Sequence, residues 1–243
     1  MDCYKECIVA FMDILGFKNI INTGDFEEVR QIFSAITLAI ESKGALSKAV
    51  DPSDPKGTSL VRYNNILQED IKIHIMSDSI VVASPCQSPQ ALAAVIEVCM
   101  MIQQMLFDLE TPIFLRGAIT KGSFYTDGNM AFGKALVDAY IAQEYYAEFP
   151  RIILSDEVQR GMDNTMLQDN ALIRDEDGYW YINVLESFIN YPFWNGLENN
   201  PMYTKLRNKV DQQLSGYTDP SVRKKYLWLE KKLNDIEFKA SCF

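Results

Sequence analysis

The feature that most constrains the fold is a hairpin pattern in residues 70–84, DIKIHIMSDSIVVAS. Ile71, Ile73 and Ile75 alternate with polar residues, and a second apolar run begins at Ile80 after a short polar turn. Alternation with a period of two is typical of strands with one buried face. The segment therefore predicts two antiparallel strands joined by a tight turn.

Helical segments flank this hairpin on both sides. An apolar strand at about residues 7–13 and an amphipathic helix over 25–42, with Asp25 as a plausible N-cap, come before it. A strongly apolar helix follows, with Ser88 as its predicted cap and Pro89 in its first turn, and then a strand in "IFLRGAITKG". The order β-α-β-β-α-β predicts an α+β, ferredoxin-like core.

The remaining segments extend this core. Residues 43–69 are rich in Lys, Ser, Pro and Asp and predict a loop or flap. "KALVDAYIAQEYYAEF" predicts a helix, "RIILS" and "YWYINVL" predict strands, and two charged amphipathic helices follow from about residue 201. The Met-rich part of the second helix, Met100, Met101 and Met105, suits either the core or a dimer interface.

Composition narrows the function classes. The 243 residues carry a net charge of −10, which argues against nucleic acid or an anionic membrane as a general partner. No stretch approaches the roughly 20 apolar residues that cross a bilayer, and the first residues do not resemble a signal peptide, so we expect a cytoplasmic protein. The five cysteines are scattered and are expected to be reduced. The single histidine, His74, excludes any mechanism or metal site that needs two histidines from one chain.

Two aspartates stand where a buried strand meets a turn. Asp13 interrupts the apolar run of residues 8–17, and Asp78 lies in the hairpin turn. Turn stabilisation is the favoured explanation of Asp78 alone, whereas Asp13 alone suits either a strand-end turn or a metal ligand. In the predicted fold, however, the first strand and the hairpin are neighbours, and two converging carboxylates repel each other unless a cation joins them. Oxygen ligands favour Mg²⁺ or Mn²⁺, so the pair together favours a metal site.

A family resemblance rests on four segments in order, "FMDILGF", "MSDSIVV", "LRGAITKGSFY" and "AFGKALVDAY". Together they resemble the class III nucleotidyl cyclases. The series "SDSIVV…FLRGAITKG…AFGKALVDAY…FPRIILS" is more closely similar to the bacterial pyrimidine cyclases of the Pycsar antiphage system, over roughly residues 5–160. The resemblance implies a cyclase catalytic domain over residues 1–190 and a C-terminal helical extension, 191–243, packed on the same domain.

The resemblance also implies a site shared between the two chains of a head-to-tail homodimer. Two Mg²⁺ or Mn²⁺ ions per active site would be held by Asp13, Asp78 and the backbone carbonyl of Ile14. The predicted phosphate-binding groups are backbone amides, those of Leu15, Gly16 and Phe17.

Three positions depart from the familiar adenylyl and guanylyl cyclases. Asp138 stands where that family has an asparagine, and Ala142 stands where it has a transition-state arginine. His74 replaces the purine-reading lysine four residues before Asp78. Purine recognition is therefore not expected.

Arg116 and Tyr140 are candidate replacements, each with a structural alternative. Arg116 either supplies the missing cation or forms a salt bridge with Asp138 or another acid. Tyr140 either orients the nucleotide or packs in the core. The predicted catalytic residues are Arg116 and Asp138, and Tyr140 is a predicted substrate contact.

The expected function is conversion of UTP to 3′,5′-cyclic UMP and pyrophosphate, as a second messenger for antiphage defence that a separate cyclic-nucleotide effector reads. The alternatives are a cytidylate cyclase acting on CTP and a degenerate cyclase-like sensor that binds nucleotide without turnover. A polymerase- or diguanylate-cyclase-like palm shares two acids but is disfavoured, because the turn reads "MSDSI" and not a "GGDEF"-type sequence.

Overall fold

A computed structural model describes residues 3–42, 71–87, 90–162, 171–189, 197–216 and 219–241. The loop predicted over 43–69 and the predicted helix start at Ser88 and Pro89 lie outside these ranges. Within them, no helix has the length and apolarity that crossing a membrane requires.

The sheet is built around the first strand and the predicted hairpin. Its strands are β1 (Lys5–Ile14), β2 (Lys72–Met76), β3 (Ser79–Pro85), β4 (Leu115–Thr126), β5 (Ala131–Phe132), β6 (Ile152–Leu154), β7 (Leu172–Arg174) and β8 (Trp180–Ile182). The order is β2-β3-β1-β4-β6-β8-β7, with β5 paired to β4. Strand β1 is antiparallel to both β3 and β4, so its end is enclosed by the hairpin on one side and by β4 on the other.

Helices cover both faces of this sheet. They are α1 (Phe17–Thr23), α2 (Phe26–Ser42), α3 (Ala91–Phe107), α4 (Lys134–Tyr146), α5 (Asp156–Arg160), α6 (Val184–Ile189), α7 (Pro201–Ser215) and α8 (Pro220–Ser241). Alternate residues of β1, such as Ala10 and Met12, join α2 and α3 in the larger apolar cluster, and Val9 and Phe11 pack with α4 on the opposite face. The predicted α+β, ferredoxin-like order is confirmed.

The two C-terminal helices are part of the main core. Leu206 of α7 and Trp228, Leu229 and Leu233 of α8 are buried in the same cluster as the central strands. Trp228 stacks on Phe149, with ring centroids 5.6 Å apart. The extension therefore shares its apolar core with the sheet.

The structure differs from the sequence prediction in several short elements, including α5 and β7, where no element was predicted. Helix α1 was not predicted, and "YWYINVL" is a strand only as far as Ile182, because α6 begins at Val184. Helix α3 begins at Ala91 and is buried on most of its circumference, so its apolar excess fills the chain's own core. Met101 is 5% exposed, and Met100 and Met105 pack against the same core.

Candidate active site

The two predicted acids converge at the end of β1. Asp13 is paired in register with Ser79, the residue after Asp78, and the Ile14 amide donates a hydrogen bond of 3.0 Å to the Asp78 carbonyl. Asp78 is held in a two-residue turn in which Ser77 adopts a positive φ of 57°. The hairpin thus brings Asp78 to Asp13 across 65 positions of sequence, as the fold predicted.

The pKa of Asp13 reflects the proximity of the two acids. Burial and the nearby negative charge of Asp78 raise the pKa of Asp13 to about 6, and the Arg116 guanidinium opposes the rise only in part. Without a metal, the ionised form of Asp13 is therefore destabilised by burial and by Asp78, although it still predominates at neutral pH. A bound cation would remove that penalty.

The backbone at Ile14 adds a third oxygen. In an antiparallel pair the amide and carbonyl of one residue face the same neighbouring strand. The Ile14 amide bonds to Asp78, but the reciprocal bond from the Asp78 amide to the Ile14 carbonyl is not formed. The described residues contain no cluster of three or more His, Cys, Asp or Glu side chains. Two carboxylates and one carbonyl are nevertheless a donor set that suits Mg²⁺ or Mn²⁺.

The predicted phosphate donors are not equivalent. The Leu15 amide donates a hydrogen bond of 2.9 Å to the Phe114 carbonyl. Because this amide already has a partner in the chain, its predicted role as a phosphate donor is not supported. The Gly16 and Phe17 amides make no hydrogen bond to a described residue. Gly16 has a positive φ of 79°, which turns the chain directly from β1 into α1.

Arg116 lies on the same face of the sheet, beside Asp13. Its Nη2 is 3.5 Å from Asp13 Oδ2 and 3.7 Å from Glu144 Oε2, and its side chain is 18% exposed. Its buried Nε has no hydrogen-bond partner among the described residues. The guanidinium therefore stands next to the acid pair with donor capacity unused, and its acid partners are Asp13 and Glu144.

Asp138 and Tyr140 lie on α4, away from direct contact with the acid pair of the same chain. Asp138 accepts a hydrogen bond from Lys134 and does not pair with Arg116. The predicted alternative of a salt bridge from Arg116 therefore holds for other acids, Asp13 and Glu144, and not for Asp138. The Tyr140 ring packs edge-on against Phe11, with centroids 5.6 Å apart, yet the residue is 51% exposed. Its exposed part remains accessible on the α4 face.

His74 is held at the outer strand of the hairpin. Its Nε2 and the Thr126 hydroxyl share a hydrogen bond of 2.7 Å. Thr126 is the last residue of β4, so the imidazole is tied to the far end of that strand. This position gives the side chain a fixed partner within the chain.

Sequence reasoning missed two charged groups near the acids. Glu144 of α4 contacts Arg116, and Lys225 of α8 lies close enough for Arg116 and Asp13 to influence its pKa. Glu144 comes two residues after Ala142 on a helix that resembles the cyclase pattern, so the sequence carries a signal for it. No sequence signal indicates Lys225, because its position near the acids depends on how the C-terminal helices pack on the core.

Comparison with solved structures agrees with the fold. The guanylyl cyclase domain of the RhoGC fusion protein from the aquatic fungus Blastocladiella emersonii, described as monomeric, superposes with a TM-score of 0.50 at 13% identity, covering 74% of this chain and 95% of that one. The chain has the fold of a class III cyclase catalytic domain. An adenylate/guanylate cyclase/hydrolase from Silicibacter pomeroyi gives a TM-score of 0.45 at 14% identity, covering 75% and 96%. No protein-family model and no curated protein matches the sequence.

Proposed function

We propose that this protein is a nucleotide cyclase that converts UTP to 3′,5′-cyclic UMP and pyrophosphate, with CTP as the alternative substrate. The observation that carries the proposal is the convergence of Asp13, Asp78 and the Ile14 carbonyl, which has no partner among the described residues, at the end of β1 beside Arg116. The cyclase-type fold supports it. Retention of both acids favours turnover over a sensor that only binds nucleotide.

The residues present account for the parts of an in-line displacement. Asp13, Asp78 and the Ile14 carbonyl would hold two divalent ions, which supply activation of the 3′-hydroxyl and charge neutralisation on the triphosphate. The 3′-oxygen bonds to the α-phosphorus, the bond from that phosphorus to the β-phosphate oxygen breaks, and the hydroxyl proton passes to solvent. Arg116 would donate to the charge that develops at the α-phosphate, and the Gly16 and Phe17 amides would hold the departing pyrophosphate.

A pyrimidine substrate is supported by what occupies the base-reading position. His74 replaces the lysine of the purine cyclases, and its Nε2 is engaged with Thr126. We expect the protein, incubated separately with UTP, CTP, ATP and GTP and Mn²⁺, to form cyclic UMP fastest, measured by mass spectrometry of the products. Faster cyclisation of CTP would select the alternative. Faster cyclisation of ATP or GTP than of both pyrimidines would overturn the specificity.

The complete site would be formed by a head-to-tail homodimer. Val137, Tyr140 and Ile141 of α4 are 41–54% exposed, which leaves an apolar surface on the helix that carries Asp138. Because α4 of the same chain does not bring Asp138 to the acid pair, we propose that α4 of a second copy completes it.

Mixing two inactive variants tests this shared site. Asp13→Asn and Asp138→Ala should each be inactive, yet their heterodimers would contain one site with both groups intact. Random mixing should recover about a quarter of the wild-type activity, because about half of the dimers are heterodimers and each keeps one of its two shared sites. No recovery, with heterodimers present by light scattering and mass spectrometry, would contradict the shared site.

The product would serve as a second messenger in antiphage defence, read by a separate effector. The resemblance to Pycsar cyclases supports this role. Phage plating on cells that carry the protein with its effector, compared with the Asp78→Asn variant, tests it: equal plating efficiency on both would contradict the role.

A further inference from the structure

A cavity of about 420 Å³ lies between the C-terminal helices and the turn that follows β1. Its walls include Gly16 on one side, Phe114 before β4, and Tyr226 of α8. Small-molecule pockets generally begin at about 300 Å³. The cavity is therefore large enough for a small ligand, and it adjoins the turn that carries the acid pair.

Two lysines line this cavity, Lys209 of α7 and Lys225 of α8. Both are half-buried, and neither has a salt-bridge or hydrogen-bond partner among the described residues. Burial is the main cause that lowers the pKa of each, because an ammonium group that loses water prefers its neutral form. At Lys225 the positive charge of Arg116 adds to the lowering, and the negative charges of Asp13, Glu148 and Asp219 oppose it only in part. Glu28, also at the wall, raises the pKa of Lys209 only in part.

The other lysines of these two helices behave differently, since each is paired with an oxygen acceptor on an acidic residue. The pairs are Lys205 with Asp108, Lys224 with Glu148, Lys231 with Glu176, Lys232 with Asp175, and Lys239 with Glu186. Among the lysines of α7 and α8, only the two at the cavity have no partner in the described part of the chain. The cavity therefore differs from the rest of the helical surface, where the lysines are neutralised by acids.

We propose that this cavity is a binding site for a phosphate-bearing anion, held between Lys209 and Lys225. Two cations contributed by different helices suit a group with several charged oxygens, such as a diphosphate. The same chemistry is present in the phosphates of a nucleoside triphosphate and in a separate phosphate compound. The site does not depend on the proposed cyclase reaction.

Calorimetric titration of the protein with inorganic pyrophosphate, in buffer freed of metals by chelating resin, tests the site. Lys209→Gln and Lys225→Gln should each weaken pyrophosphate binding about tenfold. The matched controls are Lys205→Gln, one turn before Lys209, and Lys224→Gln, beside Lys225; both should bind as the wild type does. Because no acid partner is lost, the melting temperatures of the two cavity variants should not fall.

Three results would overturn the proposal: no saturable binding by the wild type, unchanged binding by both cavity variants, or equal weakening by the controls. Asp78→Asn should keep pyrophosphate affinity, so the site can be correct even if no cyclase activity is found. Competition then identifies the source of the phosphate. If UTP displaces pyrophosphate, the site takes a nucleotide's phosphates, and if both bind together it takes a separate compound.

Discussion

Arg116 lies between two carboxylates, and this position decides what its loss should do. It stands 3.5 Å from Asp13 and 3.7 Å from Glu144, with a buried Nε that no described residue satisfies. A ligand cannot reach the buried Nε, but the side chain is 18% exposed, so part of it remains accessible to a ligand bound at the acid pair.

Arg116→Ala should therefore lower kcat by about 10²–10³, the usual effect of removing one preorganised charge donor. Arg116→Lys should restore little, because an ammonium group cannot reproduce two-pronged contact. Steady-state kinetics and a melting curve check this, with the exposed Arg30→Ala as control. A large fall in melting temperature, with activity per folded molecule preserved, would make Arg116 a structural residue.

Asp13 should make the metal-free protein sensitive to pH. Its pKa is raised to about 6, mainly by burial and by Asp78, so the folded state binds the proton more tightly than the unfolded state does. Stability should therefore fall as pH rises from about 4 to about 6 and then level off. Asp13→Asn should raise the melting temperature at pH 7 in EDTA and have little effect near pH 4.

The control for this measurement is Asp127→Asn, whose effect should have the opposite sign. Hydrogen bonds from the Met130 and Asn129 amides lower the pKa of Asp127. Its contribution is present above its unfolded pKa and is lost in acid. If Asp13→Asn lowers the melting temperature at pH 7, the convergence of the two acids is wrong.

At the level of elements, the hairpin turn sets the position of Asp78. Ser77 has a φ of 57°, a region in which a non-glycine residue is strained. Ser77→Gly should relieve that strain and stabilise the fold by about 0.5–1 kcal/mol without loss of activity. Ser79→Gly, in the extended backbone of β3, should destabilise by a similar amount. Urea denaturation distinguishes them, and a destabilising Ser77→Gly would contradict the turn geometry.

A buried charge network joins α8 to the sheet. Arg151 has a side chain only 1% exposed and forms ion pairs with Asp175 and Asp177. Asp175 also accepts hydrogen bonds of 2.8 Å from Trp228 Nε1 and Lys232 Nζ. Burial alone would raise the pKa of Asp175, but these hydrogen bonds outweigh it and hold the pKa below its usual range.

Asp175→Ala should destabilise the protein by about 3 kcal/mol, because it leaves buried cations without their acid. The neighbouring control, Glu176→Ala, breaks an exposed pair with Lys231 and should cost less than about 1 kcal/mol. The effect of Asp175 should begin to shrink as pH falls below about 4, where the unfolded carboxyl takes up a proton, and should be lost once pH falls below the lowered pKa of the folded state. Equal costs in urea denaturation would show that the network does not anchor α8.

Elements with strong periodicity were predictable, and those set by local capping were not. The hairpin, α2, α7 and α8 follow from alternation or an amphipathic stripe. Helix α1 has only seven residues, and its N-cap is Gly16 in the left-handed conformation. It is too short for its apolar residues to show a helical period. The start of α6 had a signal, since Asn183 precedes it and its side chain bonds to Glu186, three residues on.

At the scale of the whole molecule, the topology made the meeting of the two acids predictable. It did not predict where the lysines of the C-terminal helices would lie. Asp13 and Asp78 lie on neighbouring elements in any ferredoxin-like order, so their meeting follows from the fold. Lys209 and Lys225 come from helices whose docking depends on the full core, including Trp228 and Leu229. No local sequence pattern distinguishes them from the paired lysines beside them.

The most direct test of the central claim is turnover by the acid pair. Purified wild-type protein, Asp13→Asn, Asp78→Asn and the exposed-acid control Asp127→Asn would each be incubated with UTP or CTP and Mn²⁺, and cyclic nucleotide would be quantified by mass spectrometry. We predict cyclic UMP or cyclic CMP from the wild type and the control, and none from the two acid variants, which remain folded. No cyclic nucleotide from the wild type, or near wild-type turnover by either acid variant, would contradict the assignment.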